Sequence, residues 1–244
     1  MNKKYFVFLL ALIIALSSGC AHCRKDKPII FQYSTINAFY SGVYDGKLTC
    51  KELKKHGDFG MGTFNGVDGE LVLLGKVCYQ AKADGRIVIA KNNLEIPFAT
   101  ANYFKPSIHA VLEKPLDLKE ITEYLDLLLP DKNSIFAIKL EGEFDFVQTR
   151  SIEKQKEPYT PFTEVAKNQS VSKFSGIKGT LVGYYFPEYM KELNVAGYHL
   201  HFISRDKKHG GHLLDCNILK GSIEMEQVNK IFMELNDTKN LTLK

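Results

Sequence analysis

Three histidines towards the C-terminal end of the chain have a spacing that suits metal binding. His199 and His201 lie in the apolar run 197–204, and His212 follows a polar segment that ends in two glycines. Because successive side chains of a strand point to opposite faces, His199 and His201 share one face. The segment 205–211 favours a chain reversal that brings His212 alongside them. Three neutral imidazoles that leave one coordination position open are the usual protein ligands of a catalytic zinc ion, so we predict a metal site on this hairpin.

Hydrophobic periodicity around the hairpin predicts an α+β fold. Strand-like runs alternate with glycine-containing turns, and helical patterns cover 48–56, 117–129 and 224–235. Thr49 and Asp117 stand at the start of the first two helices, where their side chains would cap free backbone N–H groups. We therefore expect two small mixed β-sheet subdomains with flanking helices, and the metal hairpin in the second.

The boundary between the two subdomains is predicted from composition. Residues 151–170 contain Pro158, Pro161 and many charges, which is typical of an interdomain connector. We expect an N-terminal α+β subdomain over 31–150 and a C-terminal metal-binding α+β subdomain over 171–244.

Composition excludes several classes of protein. Of the 244 residues, 45% are hydrophobic and 25% are charged, a globular balance that argues against disorder. The formal net charge is +4 and basic residues are interleaved with acidic ones, so we expect no nucleic-acid partner. The five cysteines are irregularly spaced, which predicts no disulfide framework.

The N-terminal residues 1–19 have the pattern of an export signal. Two lysines precede an apolar run over 5–16 that is too short to span a bilayer comfortably. The Ser-Ser-Gly before Cys20 resembles a bacterial lipoprotein processing site, although Ser17 replaces the usual aliphatic residue. We expect an exported protein with a tether over 20–30 and a lipid on Cys20 as its only membrane contact. The alternative is a secretory signal cleaved nearby without lipid, which would leave a secreted or periplasmic protein.

Several longer motifs accompany the histidines along the chain. They read GYHLHFIS and GGHLLD at the histidines, and KHGDFGMGTFNGVDGEL, FKP and TRSIEKQKEPYTP before them. In this order they closely resemble the motifs of bacterial alpha-acetolactate decarboxylases, from about Ile30 to Leu219.

That resemblance implies a two-domain α+β protein that forms a homodimer, with a zinc ion in the second domain facing residues of the first. The activity that it implies is the decarboxylation of 2-acetolactate to acetoin and carbon dioxide. The site residues that it implies are the zinc ligands His199, His201 and His212 and the active-site residues Thr63, Glu70 and Arg150.

The chemistry of this reaction accounts for these residue types. Loss of carbon dioxide leaves a carbanion that is delocalised into the neighbouring ketone as an enediolate. Zinc would stabilise that charge as a Lewis acid, without an organic cofactor. Arg150 would hold the departing carboxylate or the enediolate bidentately. Glu70, protonated near the metal, would hand a proton to one face of the enediolate and so fix the stereochemistry of the product.

Each of these three residues also has a purely structural interpretation. Arg150 at a strand end would form an ordinary salt bridge, and Glu70 would be a solvated acid at the start of a strand. The Thr63 hydroxyl lies beside glycines and would only bond the local turn.

The C-terminal segment departs from the family pattern. The family uses a glutamate from a longer tail, and Glu224, Glu226 and Glu234 do not lie in a recognisable version of that tail. A non-catalytic envelope zinc-binding protein on the same scaffold is therefore the alternative function. A cupin-type oxygenase with an iron site is a further rival, but the glutamate that it needs shortly after the second histidine is absent from residues 202–208.

Overall fold

The computed structural model describes residues 28–236 of the chain. The predicted export signal over 1–19, Cys20 with most of the tether, and the last residues 237–244 lie outside the described residues. Within the described range, no helix is both long enough and apolar enough to cross a membrane.

Strands make up most of the described chain, and its helices are short. The strands are β1 (Ile29–Tyr33), β2 (Leu48–Thr49), β3 (Phe59–Thr63), β4 (Glu70–Leu74), β5 (Val77–Ala81), β6 (Ile87–Ile89), β7 (Glu95–Ile96), β8 (Ala99–Asn102), β9 (Ile108–Leu112), β10 (Leu116–Asp117), β11 (Ile135–Ser151), β12 (Ser170–Phe186), β13 (Gly197–Ser204), β14 (Gly210–Val228) and β15 (Lys230–Glu234). The helices are α1 (Ile36–Tyr40), α2 (Cys50–His56), α3 (Leu118–Leu128) and α4 (Phe162–Val165), with 3-10 turns at Asn65–Val67, Ala166–Asn168 and Glu188–Met190. The prediction of mixed β-sheets with flanking helices is confirmed.

The strands form two main sheets. The seven-stranded sheet has the order β15-β1-β8-β3-β4-β5-β6 and is antiparallel except that β15 runs parallel to β1. The second sheet has the order β10-β14-β11-β12-β13, and β13 also pairs with β14, so that β11 to β14 form a closed ring. The two sheets do not correspond to two successive parts of the chain. Strands β9, β10 and β11 already belong to the second sheet, whereas β15, the last strand, returns to the first. The predicted division at residues 151–170 stays a prediction.

The two sheets pack face to face around a shared core. Burial of each large apolar side chain contributes about 1.5–3 kcal/mol, so this interface holds the two sheets together. The packing sets β4 of the first sheet against β13 of the second. The core residues from the first sheet include Phe59, Met61 and Val72, and those from the second include Val182, Tyr184 and Ile203.

Two of the predicted helices are confirmed, together with their caps. The Thr49 side chain accepts a hydrogen bond from the Glu52 N–H at the start of α2, and Asp117 accepts one from the Glu120 N–H at the start of α3. Each glutamate accepts in return from the N–H of the capping residue. Such caps stabilise a helix by about 1 kcal/mol, which is why the sequence signal is reliable here.

The predicted helix over 224–235 is wrong. Its first part continues β14 as far as Val228, and residues 230–234 form β15. In this stretch β14 pairs with β11 on one side and with β9 on the other. Because both neighbours use the backbone hydrogen-bonding groups of this segment, tertiary pairing overrides the local helical pattern.

A buried polar network also joins the two sheets. The Asn102 amide donates to Glu226 Oε2 at 2.9 Å and accepts from the Tyr184 hydroxyl at 2.8 Å. The Lys105 N–H donates to the same carboxylate oxygen at 3.0 Å. Burial raises the pKa of the Glu226 carboxyl above its ordinary value, although these donors lower it in part. Glu226 is therefore a core residue that connects β14 to β8.

Replacing Glu226 by glutamine should change how stability depends on pH. The pKa of Glu226 is raised in the fold above its ordinary value of about 4.5. Between the ordinary pKa and the raised pKa, the native state therefore binds more protons than the unfolded state. The free energy of unfolding of the wild type should therefore fall as pH rises through the interval between those two pKa values. Glu226→Gln keeps an acceptor oxygen but carries no charge. Its Tm should therefore increase relative to the Tm of the wild type as pH rises across that interval.

Thermal unfolding followed by circular dichroism from acidic to neutral pH measures this difference. Glu224→Gln is the matched control, because Glu224 lies on the same strand but is half-buried and pairs with Lys139. A Tm difference between Glu226→Gln and wild type that stays constant with pH would contradict the prediction.

Candidate metal and catalytic site

The three predicted histidines come together on paired strands. His201 on β13 lies opposite His212 on β14, and His199 is two residues before His201. One ring nitrogen from each histidine lies within 4.8 Å of the other two. Leu200 and Phe202 point the other way into the core of the closed ring. The predicted alternation of faces and the predicted strand pairing are both confirmed.

The ring of His201 is held in one orientation by a backbone group of the other sheet. His201 Nδ1 lies 2.9 Å from the carbonyl oxygen of Leu71 on β4. Because a carbonyl only accepts, Nδ1 carries the proton and Nε2 carries a lone pair. His201 Nε2 is buried and has no hydrogen-bond partner among residues 28–236. A buried acceptor without a partner is costly, so this atom suits a ligand such as a metal ion.

The other two imidazoles present their nitrogens to the same place. His199 Nε2 and His212 Nδ1 are 3.1 Å apart. Burial lowers the pKa of both side chains well below the ordinary histidine value, and the positive charge of Arg150 lowers it further. Burial also lowers the pKa of His201, although the Glu70 carboxylate opposes that effect. All three rings are thus neutral near pH 7, which is the form that binds metals.

Glu70 and Arg150 meet beside the histidines. Glu70 opens β4 in the first sheet, and Arg150 lies near the end of β11, opposite His212 in the second. Glu70 Oε1 accepts a hydrogen bond from Arg150 Nη1 at 3.0 Å, and Glu70 Oε2 lies 3.4 Å from His201 Nε2. Only 9% of the Glu70 side chain and 13% of the Arg150 side chain are exposed. Glu70 is therefore not a solvated acid, and its partner is a cation within the same site.

Thr63 lies next to Glu70 but is engaged locally. The two residues face each other across β3 and β4. The buried Thr63 hydroxyl donates to the carbonyl oxygen of Gly69 at 2.7 Å, within the turn that leads into β4. This contact supports the structural interpretation of Thr63, and a direct role in chemistry stays a prediction.

Two aromatic residues near Arg150 were missed by the sequence analysis. The Arg150 guanidinium carbon lies 5.5 Å from the centre of the Phe162 ring. Tyr40 stacks on Phe162, with ring centres 5.4 Å apart and planes at 25°. Phe162 lies in the segment predicted as a connector, and Tyr40 ends a short helix, so no spacing in the sequence connects either residue with the histidines.

The three glutamates near the C-terminal end, which do not match the family tail, lie in other surroundings. Glu226 belongs to the buried network with Asn102, and Glu224 forms an ion pair with Lys139 at 2.5 Å. Glu234 lies on β15, which pairs with β1 at the edge of the first sheet. Within the described range, the carboxylate that contacts the histidine cluster is that of Glu70.

Comparisons of sequence and fold show which known proteins this chain resembles. The sequence model of the family Alpha-acetolactate decarboxylase matches residues 30–243. The alpha-acetolactate decarboxylase of Methanosarcina mazei is 42% identical over 212 residues, which are 87% of this chain and 74% of that protein. The Brevibacillus brevis protein of the same name is 40% identical, with the same coverage of both chains. The crystal structure of the Bacillus subtilis strain 168 enzyme aligns with a TM-score of 0.85 at 34% identity, over 87% of this chain and 91% of that one. The chain therefore belongs to the alpha-acetolactate decarboxylase family of carboxy-lyases.

Proposed function

We propose that this protein decarboxylates 2-acetolactate to acetoin and carbon dioxide at a zinc ion held by His199, His201 and His212. The observation that carries the proposal is the buried, unpartnered Nε2 of His201, which faces the same space as the ring nitrogens of the other two histidines. Three imidazole ligands with a nearby carboxylate suit a catalytic zinc that keeps one position open. Family membership supplies the substrate and the reaction.

The protein prepares the metal ligands through its own contacts. The hydrogen bond from His201 Nδ1 to the Leu71 carbonyl orients the imidazole and raises its basicity. Burial keeps the three rings neutral, so they would leave the ion its full positive charge. When bound, zinc would act as a Lewis acid for the negative charge that develops on the substrate as carbon dioxide leaves.

Arg150 binds the carboxylate of the substrate in this proposal. One of its terminal nitrogens is held by Glu70 at 3.0 Å, which leaves N–H groups on the rest of the planar guanidinium for a second carboxylate. A guanidinium that bridges two carboxylates keeps the substrate beside the histidines and compensates its charge. Lysine would provide the charge but not the planar pair of donors.

Glu70 relays the proton that the reaction consumes: it rests as a carboxylate paired with Arg150, takes up a proton from water and passes it to the substrate carbon. Loss of carbon dioxide leaves a carbon that must be protonated, and protonation from one side yields one enantiomer of acetoin. Glu70 Oε2 lies 3.4 Å from His201 Nε2, so a proton on this oxygen is next to the substrate position. Because Glu70 is held by Arg150, it can deliver that proton to one face only.

Removal of the metal should abolish acetoin formation. Purified protein treated with a chelator should lose activity with 2-acetolactate, and added zinc should restore it. His201→Ala should lower zinc content and reduce kcat/KM by more than about 100-fold, since it removes a ligand whose outer contacts alone typically matter 10- to 100-fold. His209→Ala is the matched control, because His209 lies on the turn between β13 and β14 and contacts Phe174 instead.

Acetoin measurement together with metal analysis separates the two candidate functions. Zinc bound at the three histidines without any acetoin would favour the non-catalytic binding protein. Acetoin formed at the same rate by metal-free protein would contradict the proposed role of the ion.

Glu70→Gln should separate protonation from metal binding. The amide keeps the shape and still accepts from Arg150, but it has no acidic proton, so we expect turnover to fall by about 10²- to 10⁴-fold. The residual acetoin should lose its chirality, while zinc content stays the same. Chiral gas chromatography of the product measures turnover and the ratio of enantiomers, and Glu143→Gln, at a partly exposed acid on β11, serves as control. Full turnover to a single enantiomer would exclude the proposed role of Glu70.

Assembly and location are two further proposals. We propose a homodimer, as the family resemblance implies; the edge strand β6 supports it, because Ile89 is 73% exposed there and uncovered apolar edges tend to pair. Sedimentation equilibrium measures the mass.

We also propose export with a lipid on Cys20. Cys20→Ala should then release the protein from the membrane fraction, whereas Cys23→Ala should not, and equal release by both variants would exclude the anchor.

A further inference from the structure

Arg150 is contacted by two different kinds of group in this structure. Its edge meets the Glu70 carboxylate, with 3.0 Å between Nη1 and Oε1. Its guanidinium carbon lies 5.5 Å from the centre of the Phe162 ring, within the range of cation–π contacts. These two partners come from β4 and α4, which are far apart in the chain. Together they restrict both the direction and the rotation of the guanidinium plane.

The Phe162 ring is itself fixed by its surroundings. Tyr40 stacks on it at 5.4 Å, and Phe39 packs against it with ring centres 5.1 Å apart. Phe162 is partly buried and packs against a core cluster that contains the buried residues Phe39 and Val165. Tyr40 is 41% exposed, so this aromatic pair reaches the surface of the protein. A ring held in this way is a rigid surface for the guanidinium.

We propose that Phe162, supported by Tyr40, is a positioning residue that holds Arg150 ready for the carboxylate of the substrate. The ring covers the guanidinium where water would otherwise compete, which strengthens the interaction with a carboxylate. Phe162 acts through Arg150 and touches no reacting atom. This inference rests on the proposed decarboxylase function and adds to it a determinant of substrate binding.

Steady-state kinetics with 2-acetolactate test this role. Phe162→Leu keeps an apolar side chain but removes the ring, so KM should rise by about 3- to 30-fold, the equivalent of one cation–π contact. The kcat value should change by less than about threefold, because the metal ligands and Glu70 are untouched. Phe162→Tyr retains the ring and should restore KM to within about twofold. Tyr40→Leu, which removes the ring stacked on Phe162, should give a smaller rise in KM.

Two controls separate positioning from a general loss of structure. Phe174→Leu removes a half-buried aromatic ring that contacts His209 rather than Arg150 and should leave KM unchanged. In an Arg150→Lys background, Phe162→Leu should produce little further change in KM, because the planar group that it positions is already gone. Zinc content should equal that of the wild type in each Phe162 variant.

Three outcomes would overturn the inference. One is an unchanged KM in Phe162→Leu. Another is an equal rise in KM from Phe162→Leu in the wild-type and the Arg150→Lys backgrounds. A failure of Phe162→Tyr to restore KM would also exclude the ring as the cause. Absence of acetoin formation by wild-type protein would reject the proposed function itself, and an active wild type with any of the three outcomes above would reject only the role of Phe162.

Discussion

The hydrogen bond between His201 and the Leu71 carbonyl connects the fold to the site. It joins β13 of the second sheet to β4 of the first, between residues 130 apart in the chain. Because it uses the Nδ1 proton, it leaves the Nε2 lone pair buried and without a hydrogen-bond partner within the described residues. The packing of the two sheets therefore sets the direction of one ligand, and the paired strands β13 and β14 place the other two around it.

Charge balance explains why Glu70 and Arg150 lie together in the site. A carboxylate that is 9% exposed would be strongly disfavoured without a cation, and Arg150 compensates Glu70 at 3.0 Å. Such buried pairs contribute little net stability, because the cost of removing both charges from water offsets their attraction. Their contribution is to geometry: Glu70 and Arg150 are held in one arrangement beside three neutral imidazoles. The same pair leaves free donors on Arg150 for a substrate anion.

Local signals in the sequence succeeded where local physics decides the structure. The caps at Thr49 and Asp117 predicted two helices, since a side chain that satisfies free N–H groups acts within one turn. The helical prediction for 224–235 is wrong because the pattern is ambiguous and the two strands that pair with this segment decide its structure. A related reason explains why the sequence does not predict a role for Phe162. Its contact with Arg150 depends on the packing of a short helix that has no local signature of function.

The sequence by itself determined the alternation that puts His199 and His201 on one face, the motif order that carries the family resemblance, and the identity of Glu70 and Arg150 as candidates. Only the tertiary structure decided that Glu70 pairs with Arg150 beside His201, that the Thr63 hydroxyl bonds its own turn, and that Glu226 belongs to the core. The reason is physical. Side-chain direction along a strand follows from backbone geometry alone, whereas contacts between the two sheets depend on how their buried faces pack together.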